Sequence, residues 1–148
     1  MDKKMFCFQC EQTVGCAGCT GNAGVCGKKA DTARLQDELT GALIGLARAV
    51  DSTTAISKRT GQVIIEGLFT TVTNVNFDDA SIENMIQKVR AEKERLVPDC
   101  SKGQSPCGKT GEYDMQQLWN ANEDIRSLKS LILFGIRGMA AYAYHANV

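Results

Sequence analysis

Seven of the 148 residues are cysteines, and five of them fall between Cys7 and Cys26. The stretch runs Cys7-Phe8-Gln9-Cys10, then Cys16, Cys19 and Cys26, among Gly15, Gly18, Gly21, Gly24 and Gly27. Thiolates are soft ligands that suit iron–sulfur clusters, zinc or Cu(I). A Cys-x2-Cys pair sets two sulfurs on one side of a tight turn. Two further cysteines within the next 16 residues complete a four-thiolate cage. Cysteine-only ligation from a short glycine-rich loop is the habit of iron–sulfur clusters. Two parsings compete. Cys7, Cys10, Cys19 and Cys26 have gaps of two, eight and six, leaving Cys16 spare. Alternatively Cys7-x2-Cys10 and Cys16-x2-Cys19 form two clamps, leaving Cys26 spare, which suits zinc although the connection is short. The odd count and the crowding at one end oppose a disulfide framework, which would spread its bridges over the fold.

Other reactive types are sparse. His145 is the only histidine, so any Ser-His-Asp or Cys-His site depends on it, and it sits where a helix C-terminus favours a cation. Glu66 reads as a helix-boundary or surface residue, and Asp78-Asp79 as a helix cap rather than a carboxylate pair. The glycines make no G-x4-G-K-[ST] phosphate loop. Lys3, Lys4, Lys28 and Lys29 lend the head a basic rim, solvated or suited to docking an acidic redox partner.

Lys+Arg and Asp+Glu both number 17, so charge gives no sign of a nucleic-acid partner. Apolar runs such as Leu131 to Ile136, which stops at Arg137, fall far short of the roughly 18 residues of a membrane helix. The charged Met1-Asp2-Lys3-Lys4 followed by cysteines does not read as a signal peptide. The expected compartment is the cytoplasm, where thiols stay reduced.

These residues need a scaffold, and the rest of the chain reads as helical. Residues 1–29 are a cysteine- and glycine-rich loop, and 30–148 a helical bundle forming one domain with it. Leu35, Leu39, Leu43, Leu46 and Val50 recur at helical spacing, with Asp31 or Thr32 as cap. Val63, Ile64, Leu68, Val72 and Val75 predict a second helix. Ile82, Met85, Ile86, Val89 and Leu96 predict a third, capped by Asp78-Asp79 and ended by Pro98, with Glu92, Lys93 and Glu94 facing solvent. Residues 98–113, with Cys100 and Cys107, read as a loop. A last helix is expected over 122–146, capped by Asn122. Leu35, Leu39, Leu43 and Gly45 echo Leu128, Ile132, Ile136 and Gly138, either as two core helices converging on similar packing or as a duplication. Gly45, Gly135 and Gly138 would permit close helix approach. The fold class is all-α: an antiparallel helix bundle preceded by a Cys/Gly-rich cluster-binding loop.

Met5-Phe6-Cys7-Phe8-Gln9-Cys10-Glu11-Gln12-Thr13, Gly18-Cys19 and Gly24-Val25-Cys26-Gly27-Lys28 resemble the N-terminus of the hybrid cluster proteins. These are also called prismane proteins or hydroxylamine reductases, and are related to carbon monoxide dehydrogenase. Leu35-Gln36-Asp37-Glu38-Leu39, the run Gly67 to Asp79, Asn122 to Lys129, and Gly138 with Ala140-Ala141-Tyr142-Ala143 extend the resemblance in order over almost the whole chain.

The resemblance implies that Cys7, Cys10, Cys19 and Cys26 bind a proximal iron–sulfur cluster. It would be [4Fe–4S] in the compact-spacing form or [2Fe–2S] in the wider one. The gap of eight resembles the first and the gap of six the second. Cys16 matches no ligand and reads as a local substitution; Cys100 and Cys107 read as loop thiols. The family's catalytic hybrid iron–sulfur–oxygen cluster has its ligands in later domains. This chain would be the electron-transfer part, with no catalytic residues of its own. It would take electrons from a ferredoxin-like or NADH-dependent redox donor and pass them toward that cluster, where hydroxylamine or nitric oxide is reduced. Gly18, Gly24 and Gly27 are candidate N–H···S donors, and Phe6 and Phe8 candidate shields. A face left for the remaining domains of a longer parent would favour a dimer. The alternative is a zinc-stabilised helical interaction module without a redox role.

Overall fold

The computed structural model describes residues 5–10, 17–51, 56–72, 76–97 and 111–146. These hold five helices: α1 (Ala30–Asp51), α2 (Lys58–Thr70), α3 (Asp79–Leu96), α4 (Met115–Trp119) and α5 (Glu123–Ala146). Among the described residues there is no extended strand, only one isolated antiparallel bridge.

Local chemistry sets the helix ends. The Asp78 side chain accepts from Ala80 N at 3.2 Å and Asn122 Oδ1 from Asp124 N at 3.0 Å, the N-capping that both types favour. α1 begins at Ala30, ahead of the expected caps. Thr32 instead donates to Asp79 Oδ1 at 2.6 Å, tying α1 to α3. α2 begins earlier than the apolar pattern predicts. Ser57 Oγ accepts from Thr60 N at 3.1 Å, so a polar cap outside the hydrophobic run defines the start. α4 was not expected. Asp114 caps it by accepting from Gln116 N at 2.9 Å. Of the loop expected over 98–113, residues 111–113 are non-helical and the rest lies outside the described residues.

Side-chain pairs fix the sense of each helix. Thr60 at the start of α2 meets Glu92 near the end of α3, and Glu66 pairs with Lys88, so α2 and α3 are antiparallel. Thr32 and Asp79 join the beginnings of α1 and α3, which therefore run in the same sense. α1 packs most extensively on α3, and α2 touches α1, α3 and α5. The core is Leu35, Leu39, Leu43, Leu46, Val50, Val63, Ile82, Met85, Ile86 and Val89, with Ile64, Leu68 and Leu96 packed at its edge. Burying each such side chain contributes about 1.5–3 kcal/mol.

Three expectations fail, each for a packing reason. Glu92 does not face solvent but is 0% exposed. Its carboxylate accepts from Thr60 Oγ1 and from Arg95 at 2.6 Å and pairs with Arg59 at 3.0 Å. Leu128, Ile132 and Met139 do not repeat the core role of their α1 counterparts; they are exposed along α5 with Leu131 and Tyr142. The reading of two core helices converging on similar packing therefore fails. Gly135 and Gly138 mediate no close approach, since a Cβ on either meets nothing within 4 Å. The close approaches fall at Gly67, where a Cβ would stand 2.7 Å from Leu43 Cδ2, and at Gly41 against the Tyr113 backbone.

Candidate metal centre

The four cysteines expected as ligands are all free thiols in one head, packed on the start of α1. The backbones of Cys7 and Cys19 exchange both hydrogen bonds, Cys7 N to Cys19 O at 3.1 Å and Cys19 N to Cys7 O at 2.7 Å. This pairing brings two of the four together although 11 residues separate them. Gly18, just before Cys19, has φ +82°, which few other residues adopt, and a Cβ there would meet Phe6 Cε2 at 3.0 Å. Gly27, just after Cys26, has φ +83°. Gly24 N donates to Lys28 O and Gly27 N to Gly24 O, both at 2.8 Å, forming a tight turn with exposed Cys26 at its tip. These two N–H groups are thus used on carbonyls, contrary to their expected role as sulfur donors. Burial pushes the Cys7 thiol up, with the N–H of Gln9 and the charge of Lys28 opposing it.

Cys10 is half-buried and lines a cavity of about 250 Å³ between the head, α4 and α5, with Arg126 and Arg137 opposite. Among the described residues no three His, Cys, Asp or Glu side chains converge at metal-binding distance. The structure thus pairs Cys7 with Cys19 and sets Cys10 and Cys26 on the flanking turns, without drawing all four onto one point. Cys16, Cys100 and Cys107 lie outside the described residues, so the spare-cysteine assignments do too.

Beneath the head lies a polar network that sequence reasoning missed. Lys28, expected on a solvated rim, is 2% exposed. Its ammonium donates to Gln9 Oε1 at 2.6 Å. Gln9 Nε2 donates to Asp37 Oδ1 at 2.8 Å and Ala33 O at 3.0 Å, so the residue between Cys7 and Cys10 is bolted to α1. Burial raises the Asp37 carboxyl to about 6, against the lowering influence of the Gln9 hydrogen bond and the Arg137 and Lys28 charges. Arg137, buried on α5, donates to Thr71 Oγ1 at 3.0 Å and Thr40 Oγ1 at 2.9 Å. Burial lowers it to about 10, with Asp37 and Cys7 opposing. Arg137 did leave a sequence signal, as the charge that ends the apolar run Leu131 to Ile136.

Phe6 and Phe8 each place their ring centroid 5.0 Å from that of Trp119, and Arg126 lies 4.6 Å over the same ring. The two phenylalanines expected as shields therefore join an aromatic cluster, completed by a helix the sequence did not announce. Glu66 is half-buried on α2 and paired with Lys88. His145 is exposed at the end of α5, edge-on to Phe69 at 5.4 Å, remote from the cysteines in chain and contact.

The donor set fits an iron–sulfur group in its chemistry: four unbridged thiols, glycine hinges at two of them, and buried cations below. Fold and head together define a helical domain carrying four free cysteines near its N-terminus. The chain belongs to the Prismane/CO dehydrogenase family, whose model matches residues 5–148. It is 39% identical over 163 residues to a hydroxylamine reductase of Clostridium perfringens, covering 96% of this chain and 30% of that protein. It is 38% identical to hydroxylamine reductases of Methanococcus vannielii and Desulfovibrio desulfuricans, over 97% and 100% of this chain and 30% of each relative. The chain thus spans about 30% of the length of the relatives it matches. No helix among the described residues is long and apolar enough to cross a membrane.

Proposed function

We propose that this chain is the electron-entry domain of a hydroxylamine or nitric oxide reductase, holding an iron–sulfur cluster on Cys7, Cys10, Cys19 and Cys26. The observation that carries the reading is the Cys7–Cys19 backbone bridge within a head of four free thiols, in a chain of this family. The cluster, [4Fe–4S] or [2Fe–2S], would supply reversible one-electron chemistry. The chain's own residues bind and insulate it. Cys19 is presented by the bridge and by Gly18, and Cys26 by the Gly24–Lys28 turn. Gln9 anchors the Cys7–Cys10 segment to α1, and Phe6, Phe8 and Trp119 exclude water from one side. Burial and N–H···S bonds then set the potential. The catalytic hybrid cluster, and the reduction itself, belong to the remaining domains of a longer parent. A ferredoxin-like or NADH-dependent protein in the cytoplasm is the fitting donor. The apolar face of α5 fits those remaining domains, or a second copy of the isolated chain.

Iron, zinc and acid-labile sulfide analysis of anaerobically purified protein tests this, with an EPR spectrum after dithionite reduction. Iron and sulfide in near-equal amounts, with a reduced-cluster signal lost in Cys19→Ser, is the expected result. One zinc per chain without sulfide would overturn it in favour of a zinc-stabilised interaction module.

A further inference from the structure

Lys28 is an anomaly in the head. A long cationic side chain is almost never fully enclosed unless it is paired with an opposite charge. Yet among the described residues its ammonium has a single hydrogen-bond acceptor, the neutral amide oxygen of Gln9 at 2.6 Å, and no carboxylate within ion-pair range. The ring of Phe77 lies 5.9 Å from it and supplies only a weak π-face attraction. Nor is it the only cation there. Arg137 is also buried and bonded to two neutral threonine hydroxyls, and both cations act electrostatically on Cys7. The carboxylate among them is half-buried Asp37, which accepts from Gln9. Among the described residues two buried cations stand here, against Asp37 and the exposed Asp114, whose charge also acts on Asp37.

The cysteine on which the Lys28 charge is shown to act is Cys7, one of the four expected ligands. A cluster ligated by four thiolates is anionic, and gains one further negative charge on reduction, in either of the two cluster types considered. Resting on the iron–sulfur reading above, we propose that Lys28 is the built-in counter-charge of the cluster. Its buried ammonium, held beneath Cys7 by Gln9, favours the reduced state. One electron arrives from the donor protein, and no bond in this chain forms or breaks. The enclosed setting matters, because a charge screened by water has little effect at this range.

The test is an EPR-monitored redox titration of the anaerobically purified chain and three variants, with iron and sulfide measured on each. Lys28→Met removes charge and hydrogen bond, Lys28→Gln removes charge but keeps a donor, and Lys28→Arg keeps the charge. The expected result is unchanged iron and sulfide with the reduced-to-oxidised ratio at a fixed potential falling about tenfold in both neutral variants. For a one-electron couple that is about 59 mV. Lys28→Arg stays near the parent value. A neutral variant that loads its iron and titrates like the parent overturns the proposal. So does Lys28→Gln matching the parent while Lys28→Met alone shifts, because Lys28 then acts through its hydrogen bond and not its charge. If Lys28→Met does not fold, the Gln and Arg pair carries the same decision. A parent chain without iron and sulfide instead refutes the cluster reading itself, and that outcome is visible before any variant is made.

Discussion

Gly41→Ala isolates the contact on which the aromatic side of the site depends. Gly41 lies mid-helix in α1, where alanine is intrinsically favoured over glycine by about 1 kcal/mol. Here a Cβ would stand 3.3 Å from the carbonyl carbon of Tyr113 and closer still to its oxygen. The obstacle is backbone, not a flexible side-chain end, so residues near Tyr113 must retreat by about 1 Å to reach an ordinary contact. The Tyr113 N–H to Gly41 O bond, 3.1 Å long, goes with them. Overpacking costs about 1–3 kcal/mol and the lost bond about 1 kcal/mol, which together exceed the propensity gain. The expected net loss is about 2 kcal/mol. In a chain of this size each kcal/mol lowers Tm by about 2–4 °C. Gly138→Ala is the matched control: also mid-helix, with nothing within 4 Å of the added Cβ, it should be stabilised by about 1 kcal/mol. Denaturant titration followed by tryptophan fluorescence reads both effects, because Trp119 is the only tryptophan. Tyr113 leads directly into the Asp114 cap of α4, so Gly41→Ala should also shift the native emission toward that of a wetter indole. Equal stabilisation by the two substitutions would refute the packing argument.

The Glu92 carboxylate is held at about 2, first by the Arg95 hydrogen bonds and then by Thr60, against a burial effect that raises it. A depressed carboxylate stabilises the fold above its ordinary range, near 4.5, and that stabilisation is lost as pH falls toward 2. Glu92→Gln should remove this acid-dependent part of a urea-melt series and cost about 1–2 kcal/mol at pH 7; its arginine partners are 72% and 45% exposed, so water screens the pair. An unchanged pH profile in the variant would sink the assignment. On α5, Leu131 is 66% and Met139 71% exposed. Leu131→Lys should change stability by no more than about 0.5 kcal/mol while dissociating the expected dimer in light scattering. A parent chain that is monomeric at high concentration would refute the self-association.

Helix existence was legible in the sequence because the core of α1 and α3 follows the helical period without interruption. Where periodicity stopped being the deciding signal, the reading drifted. The start of α2 is set by Ser57, a polar residue ahead of the apolar run, and α4 is too short to show a period. Lys28 and Glu92 belong to residue types whose usual place is the surface, and nothing along the chain reports that a partner folds over them. The exposed side of α5 is the converse case. Its apolar residues have the pattern of a core face, and pattern alone cannot say whether the matching surface is present in the same 148 residues. The cysteines stand out by type and crowding, whereas the polar groups around Gln9, Asp37 and Arg137 come from positions more than a hundred residues apart.

The bridge between Cys7 and Cys19 has a bearing on how such heads diverge. Both ends of the intervening segment are pinned by backbone hydrogen bonds that no side chain dictates. Residues added or removed within that arc change the circumference of a ring whose two attachment points stay put. By loop-closure entropy, even doubling such an arc costs only about 0.6 kcal/mol. The paired backbone and the Cys7-x2-Cys10 spacing inside the arc then constrain the head more than the number of residues between Cys10 and Cys19. Interval rules read from one relative would pass over another whose head is built in the same way.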